Sequence, residues 1–193
     1  MKKNLMIGLL LSFTANLAMA HSGHGLETAF AGFMHPFTGI DHLLVMVAIG
    51  LWAAKSGGSI RWQLPFVFVF SMLIGAVLGA NLVVINGLEV LIALSVVVMG
   101  LMLNLHFHIH KLVQFVATAM IALLHGLAHG MELQANVLQT NAQWSVLLAM
   151  MMATALLHAT GYWFGAQRQM LFARLQQIFA LALVLIGGYL LAV

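Results

Sequence analysis

The stretch "HPFTGIDHLLVM", residues 35–46, heads an apolar run long enough to enter a lipid bilayer. Two imidazoles and a carboxylate sit where leucine would be cheaper, since an aspartate at mid-span costs ~2.5–3.5 kcal/mol on insertion scales. Ionisable groups kept at that cost face a bundle interior or a wet cavity. At about 100° per residue, a helix through this stretch puts His35, Gly39, His42 and Met46 on one stripe. Asp41 stands about a third of a turn away, placed to reach a neighbouring helix or to support a histidine.

The remaining sequence supplies the setting. The chain is 63% hydrophobic and 6% charged, with a mean hydropathy of +1.07, whereas soluble domains carry roughly 25% charged residues. It reads as an all-α membrane protein. The seven lysines and arginines are scattered, without the basic patch or stacked aromatics of a nucleic-acid binder. There is no cysteine, which excludes disulfides and thiolate metal sites and leaves ten histidines and fourteen methionines as soft or borderline ligands.

Residues 1–20, "MKKNLMIGLLLSFTANLAMA", have a basic head, a short apolar middle and an Ala-Met-Ala end, the layout of a cleaved signal peptide. The same layout suits an uncleaved first span. Cleavage would leave a periplasmic arm, residues 21–35, in which His21 and His24 could attract metal or serve as a polar tail. Residues 36–193 then hold six apolar runs: Pro36–Ala54, Trp62–Leu82, Gly87–Leu105, Leu112–Met131, Ala142–Ala166 and Arg174–Ala192. Pro65 is expected in the opening turn of the second, where its missing N–H does no harm. Lys55, Arg61, Lys111, Arg168 and Arg174 flank the odd connections, whereas the second and fourth connections carry no lysine or arginine. The positive-inside rule therefore places the odd connections in the cytoplasm and the mature N-terminus outside, consistent with a secretory signal.

The fourth run, "LLHGLAHGMEL", puts His125, His129 and Glu132 on one face at i, i+4 and i+7. An i, i+4 histidine pair can chelate one ion, and a carboxylate can complete or orient it. With the alternating topology, His35, Asp41 and His42 share the outer depth with His125, His129 and Glu132; Glu89 opens the third run on the same side. Glycines 39, 126 and 130 allow close backbone approach or are ordinary small-residue packing. Six helices also divide into two inverted sets of three, and laying "HPFTGIDH" on "HGLAHGME" pairs His35 with His125 and His42 with Glu132. Deeper, Met151, Thr154, His158 and Gly161 form a stripe that with Met46 could continue a path inward, although single methionines also serve as core filler. "HFHIH" places His106, His108 and His110 at the cytoplasmic face, as a metal hand-off point or a polar connection.

These motifs resemble those of the HupE/UreJ proteins: His-Pro-x-x-Gly-x-Asp-His-x-x-x-Met at 35–46, the histidine-bearing mature start, six spans and "HGLAHGME". The resemblance implies a bacterial inner-membrane permease for nickel or cobalt, serving hydrogenase or urease maturation and delivering to a cytoplasmic metallochaperone. It assigns function to His35, Asp41 and His42 and to their counterparts His125, His129 and Glu132; the "HFHIH" cluster is not carried over. The ion would be the substrate, with no prosthetic group expected. No Walker A sequence is present, so uptake is expected to be secondary. Three other functions use the same residue types: an intramembrane hydrolase with an open zinc site, a bis-histidine cytochrome, and a metal-binding sensor or accessory subunit.

Overall fold

The computed structural model describes residues 28–81, 85–104, 109–137 and 143–193. Residues 1–20, His21, His24, His106 and His108 lie outside them. The described residues are all-helical: α1 (Ala29–Thr38), α2 (Ile40–Ser56), α3 (Ile60–Gly79), α4 (Leu88–Asn104), α5 (Lys111–Val137), α6 (Gln143–Ala166) and α7 (Met170–Ala192).

Polarity is turned inside out relative to a water-soluble bundle. Phe66, Phe70, Leu101, Met120, Leu148, Ile178 and Leu185 project outward, while Asp41, His42, Gln114, Thr118, His125, His129, Thr154 and His158 are buried. Apolar surface of this extent marks a lipid-facing exterior. Four helices (α3, α5, α6 and α7) are long and apolar enough to cross a membrane, and the chain is a multi-pass membrane protein. Helix α4, at 17 residues, is shorter.

The first span departs from the sequence expectation. A single straight helix over Pro36–Ala54 is replaced by α1 and α2, bent by 80°. The break falls at Gly39, whose extended backbone (φ −79°, ψ 114°) ends α1 and caps α2. The bend creates a helix N-terminus inside the bundle, with amide groups that need acceptors. Asp41 lies in that first turn, where its Oδ1 accepts from the His42 backbone N–H at 2.8 Å, and where the helix dipole favours negative charge. Residues 29–35, expected in a polar arm, belong instead to α1. Pro65 is also displaced from expectation: α3 begins at Ile60, so the proline sits in the second turn and costs the Arg61 carbonyl its helical partner.

Helices α2 to α7 alternate in direction, as their side contacts require. Gly75 of α3 meets Leu123 of α5 and Gly79 meets Leu127, a parallel pairing; Gly161 and Gly165 of α6 meet Val47 and Leu51 of α2, also parallel. Helices α4 and α7 are antiparallel, with Gly100 against Val184 and Gly187 against Val97. At one end the Ser56 hydroxyl donates to Gln114 Oε1 at 2.8 Å and Lys55 Nζ to the Leu103 carbonyl at 3.2 Å. Lys55, Arg61, Lys111, Arg168 and Arg174 all belong to that end.

The same contacts establish an internal repeat. A Cβ on Gly75 would strike the Leu123 carbonyl, as one on Gly161 would strike that of Val47; Gly126 abuts the Met72 carbonyl as Gly50 abuts that of His158. Helices α2–α4 therefore correspond to α5–α7, with Gly50 matched to Gly126, Gly75 to Gly161, Met72 to His158 and Gly100 to Gly187. This register replaces the one that paired His35 with His125 and His42 with Glu132. Backbone contact, rather than likeness of polar side chains, sets it: His42 corresponds to Thr118.

Gly130 presses on the Ala76 carbonyl, whereas Gly188 has no atom within 4 Å of an added Cβ. Gly130→Ala is expected to destabilise the purified protein by about 1–3 kcal/mol through overpacking, while Gly188→Ala stays within about 0.5 kcal/mol. Thermal unfolding in detergent measures both; equal midpoints for the two variants would contradict the packing described.

Candidate metal centre

The break at Gly39 turns His35, at the end of α1, toward His42, in the first turn of α2. Their ring centroids are 5.4 Å apart. From α5, His129 approaches both, at 5.0 Å from His35 and 4.6 Å from His42, and His125 lies 4.9 Å from His42. His35, His42 and His129 each offer a nitrogen, and these three atoms lie within 4.8 Å of one another. Three donors spaced evenly at about 2.1 Å around one ion are at most about 3.6 Å apart, so each nitrogen needs to move inward by less than about 1 Å for shared coordination.

The glycines beside the histidines permit this approach. Gly126 and Gly130 follow His125 and His129 directly and let α5 touch α3 backbone to backbone. The imidazoles occupy the adjoining face of α5, turned toward α2. Both histidines are fully or almost fully buried, as is His42.

Hydrogen bonding fixes which nitrogen each ring presents. His42 Nδ1 lies 2.8 Å from Asp41 Oδ1, and a carboxylate can only accept, so Nδ1 carries the proton and Nε2 the lone pair. His125 Nδ1 donates to the Ile121 carbonyl at 2.9 Å, with the same result. The Nε2 atoms of His42 and His125, and both nitrogens of His129, are buried without a hydrogen-bond partner among the described residues. Burying polar atoms unsatisfied costs about 1–3 kcal/mol each, and several in one place indicate a ligand. Asp41 has the geometry of the carboxylate that orients a metal-bound imidazole.

The centre opens to one side. His35 Nε2 pairs with Glu132 Oε2 at 3.6 Å, and their side chains retain 16% and 34% exposure. Glu132 thus adds a carboxylate at the rim. All six principal residues expected from sequence are brought together, three in a triad and three beside it. Glu89 is exposed in the first turn of α4, and no contact joins it to the histidines among the described residues. Met46 is fully buried one turn beyond His42. His158 lies deeper, buried with both nitrogens lacking a partner among the described residues. His110 is exposed, its Nδ1 accepting from the Leu112 N–H at 3.3 Å.

Sequence reasoning missed that the polar face of α5 continues beyond His125. Gln114, Thr118, Ala122, His125 and His129 are all buried, and their i, i+4 and i+3 spacing could have been read from the sequence. It missed Phe68 as well, whose ring lies 6.3 Å from that of His125 and 4.9 Å from that of His158. No signal in a phenylalanine amid "FVFVF" singles it out.

The HupE / UreJ protein family matches residues 9–190. Protein HupE of Rhizobium leguminosarum bv. viciae is 38% identical over 146 residues, covering 76% of this chain and 74% of that protein. No solved structure matches the chain. A family match over nearly the whole length, with its histidine motifs folded into one centre, makes this chain a member of the HupE/UreJ family.

Proposed function

We propose that the protein takes up a divalent transition-metal cation, nickel first and cobalt next, across the bacterial inner membrane for metalloenzyme maturation. The observation that carries this reading is the convergence of three imidazole nitrogens within 4.8 Å inside an apolar bundle. Imidazole suits nickel, cobalt, zinc and copper alike; the preference for nickel rests on the family resemblance.

In this reading α1–α2 form one broken crossing, α4 a short one, and α3, α5, α6 and α7 the rest, six in all. The signal peptide is removed, and the mature N-terminus is periplasmic. The end bearing Lys55, Arg61, Lys111 and Arg168 faces the cytoplasm, by the positive-inside rule. The histidine centre then opens outward through His35 and Glu132. The ion exchanges hydration water for nitrogen ligands at that mouth, moves inward, and is delivered to a cytoplasmic metallochaperone. An inside-negative potential supplies ~2.3 kcal/mol per charge per 100 mV, about twice that for a divalent ion. Because ~1.4 kcal/mol is one factor of ten, accumulation of roughly a thousandfold needs no ATP.

Uptake of radioactive nickel and cobalt into cells lacking their own transporters tests the reading. Wild type is expected to exceed empty vector for at least one ion, and His129→Ala to lose about tenfold or more at matched abundance. Uptake equal to empty vector would remove the proposal. Asp41→Asn separates orientation from bulk: it preserves size but weakens the charge-assisted bond to His42. Nickel binding to purified protein is expected to weaken about 10–100-fold; unchanged affinity would show that Asp41 does not support a ligand.

A further inference from the structure

The repeat places four side chains around its pseudo-twofold axis. On α3, Phe68 and Met72 are one turn apart; on antiparallel α6, so are His158 and Thr154. The Phe68 ring packs edge-to-face on His158, with centroids 4.9 Å apart, and the Thr154 hydroxyl donates to Met72 Sδ at 3.9 Å. Since Met72 corresponds to His158 and Phe68 to Thr154, these two contacts are mates of each other across the axis. All four residues are buried, three of them completely.

Chemically the two rungs are unlike ordinary core. His158 has both ring nitrogens buried with no hydrogen-bond partner among the described residues. Met72 presents a thioether at the diagonal corner, and Thr154 adds a hydroxyl. Imidazole and thioether together suit a borderline to soft transition-metal ion and reject the hard ions Mg²⁺ and Ca²⁺. Their depth fits too. At 1.5 Å per residue, Phe68 and His158 lie ~12 Å from the cationic ends of α3 and α6, and Met72 and Thr154 ~18 Å. These levels straddle the middle of a ~30 Å hydrocarbon core, where repeat-built transporters place a substrate site. The outer centre is the next station: Phe68 also faces His125, at 6.3 Å between centroids.

We propose that a second transition-metal position lies at the interface of the two repeats, held by His158 with the Met72 thioether, and that the Phe68 ring separates it from the outer histidine centre. This rests on the uptake reading and assigns its next step. An ion leaves His125 as Phe68 turns aside and is taken by His158 and Met72. The ring then returns, so a polar path is not left open to protons or to water.

The test uses full-length protein, purified and reconstituted into vesicles, with nickel alone as the probe. His158→Gln keeps a polar side chain of similar bulk, and Met72→Leu keeps volume without sulfur. Both are expected to retain nickel affinity at the outer centre, read by equilibrium dialysis, while uptake falls about tenfold or more in His158→Gln and severalfold in Met72→Leu. Phe68→Ala is expected to raise the initial rate or the back-leak of nickel. Monodispersity and the unfolding midpoint in detergent confirm that each variant is folded. Wild-type uptake in both His158→Gln and Met72→Leu would overturn the second position, as would loss of outer-centre affinity in His158→Gln, which would make His158 part of the outer site. Wild-type vesicles no better than empty ones would defeat the uptake reading, and this inference with it.

Discussion

Backbone-to-backbone contact between parallel helices is the constraint from which the rest follows. Where α3 meets α5, and where α6 meets α2, glycine removes the side chain that would hold the axes apart. Two helices at that separation leave no room for a third layer between them, so the faces beside the contact line must carry whatever the interior needs. On α5 those faces carry His125 and His129; on α6 they carry His158. Small residues let membrane helices pack without a hydrophobic driving force, and here they also bring ligand-bearing faces within a ring's width of each other.

The helix break at Gly39 adds the second condition. A straight helix could not point His35 and the helix N-terminus at Asp41 into one place. The bend separates α1 from α2 while holding the His35 and His42 ring centroids 5.4 Å apart, so one motif supplies two imidazoles from two directions. Asp41 then has two duties, accepting from the His42 amide and from the His42 ring. The carboxylate that would be expensive in lipid is thereby satisfied without a lysine or arginine.

Much of this was legible in the sequence. Apolar runs punctuated by polar connections located the helices from Trp62 onward within four residues at each end, except that α5 runs six residues past Met131 to Val137, and lysine and arginine positions set their alternating direction. The i, i+4, i+7 spacing on α5 put His125, His129 and Glu132 on one face, and matched depth brought them to His35, Asp41 and His42. The break at Gly39 was not legible, because glycine inside an apolar run suits close packing as well as a bend. The repeat does not lie in the polar residues. Its signature is "GAVLGA" at 75–80 against "GYWFGA" at 161–166, a pattern of small side chains that a search for chemistry passes over. Phe68 owes its position to tertiary packing alone.

The repeat is symmetric in its scaffold and lopsided in its chemistry. Matching Gly50 to Gly126 sets Ile49 opposite His125, Ala53 opposite His129 and Thr118 opposite His42, so the half-site facing the cationic end has two hydrocarbon side chains and a hydroxyl where its twin carries imidazoles. Two mirror-image docks would grip a passenger equally at arrival and departure. On the proposed uptake reading, taking the nitrogens from one of them makes a sticky threshold and a slippery exit, a built-in bias toward letting a tightly caught ion go.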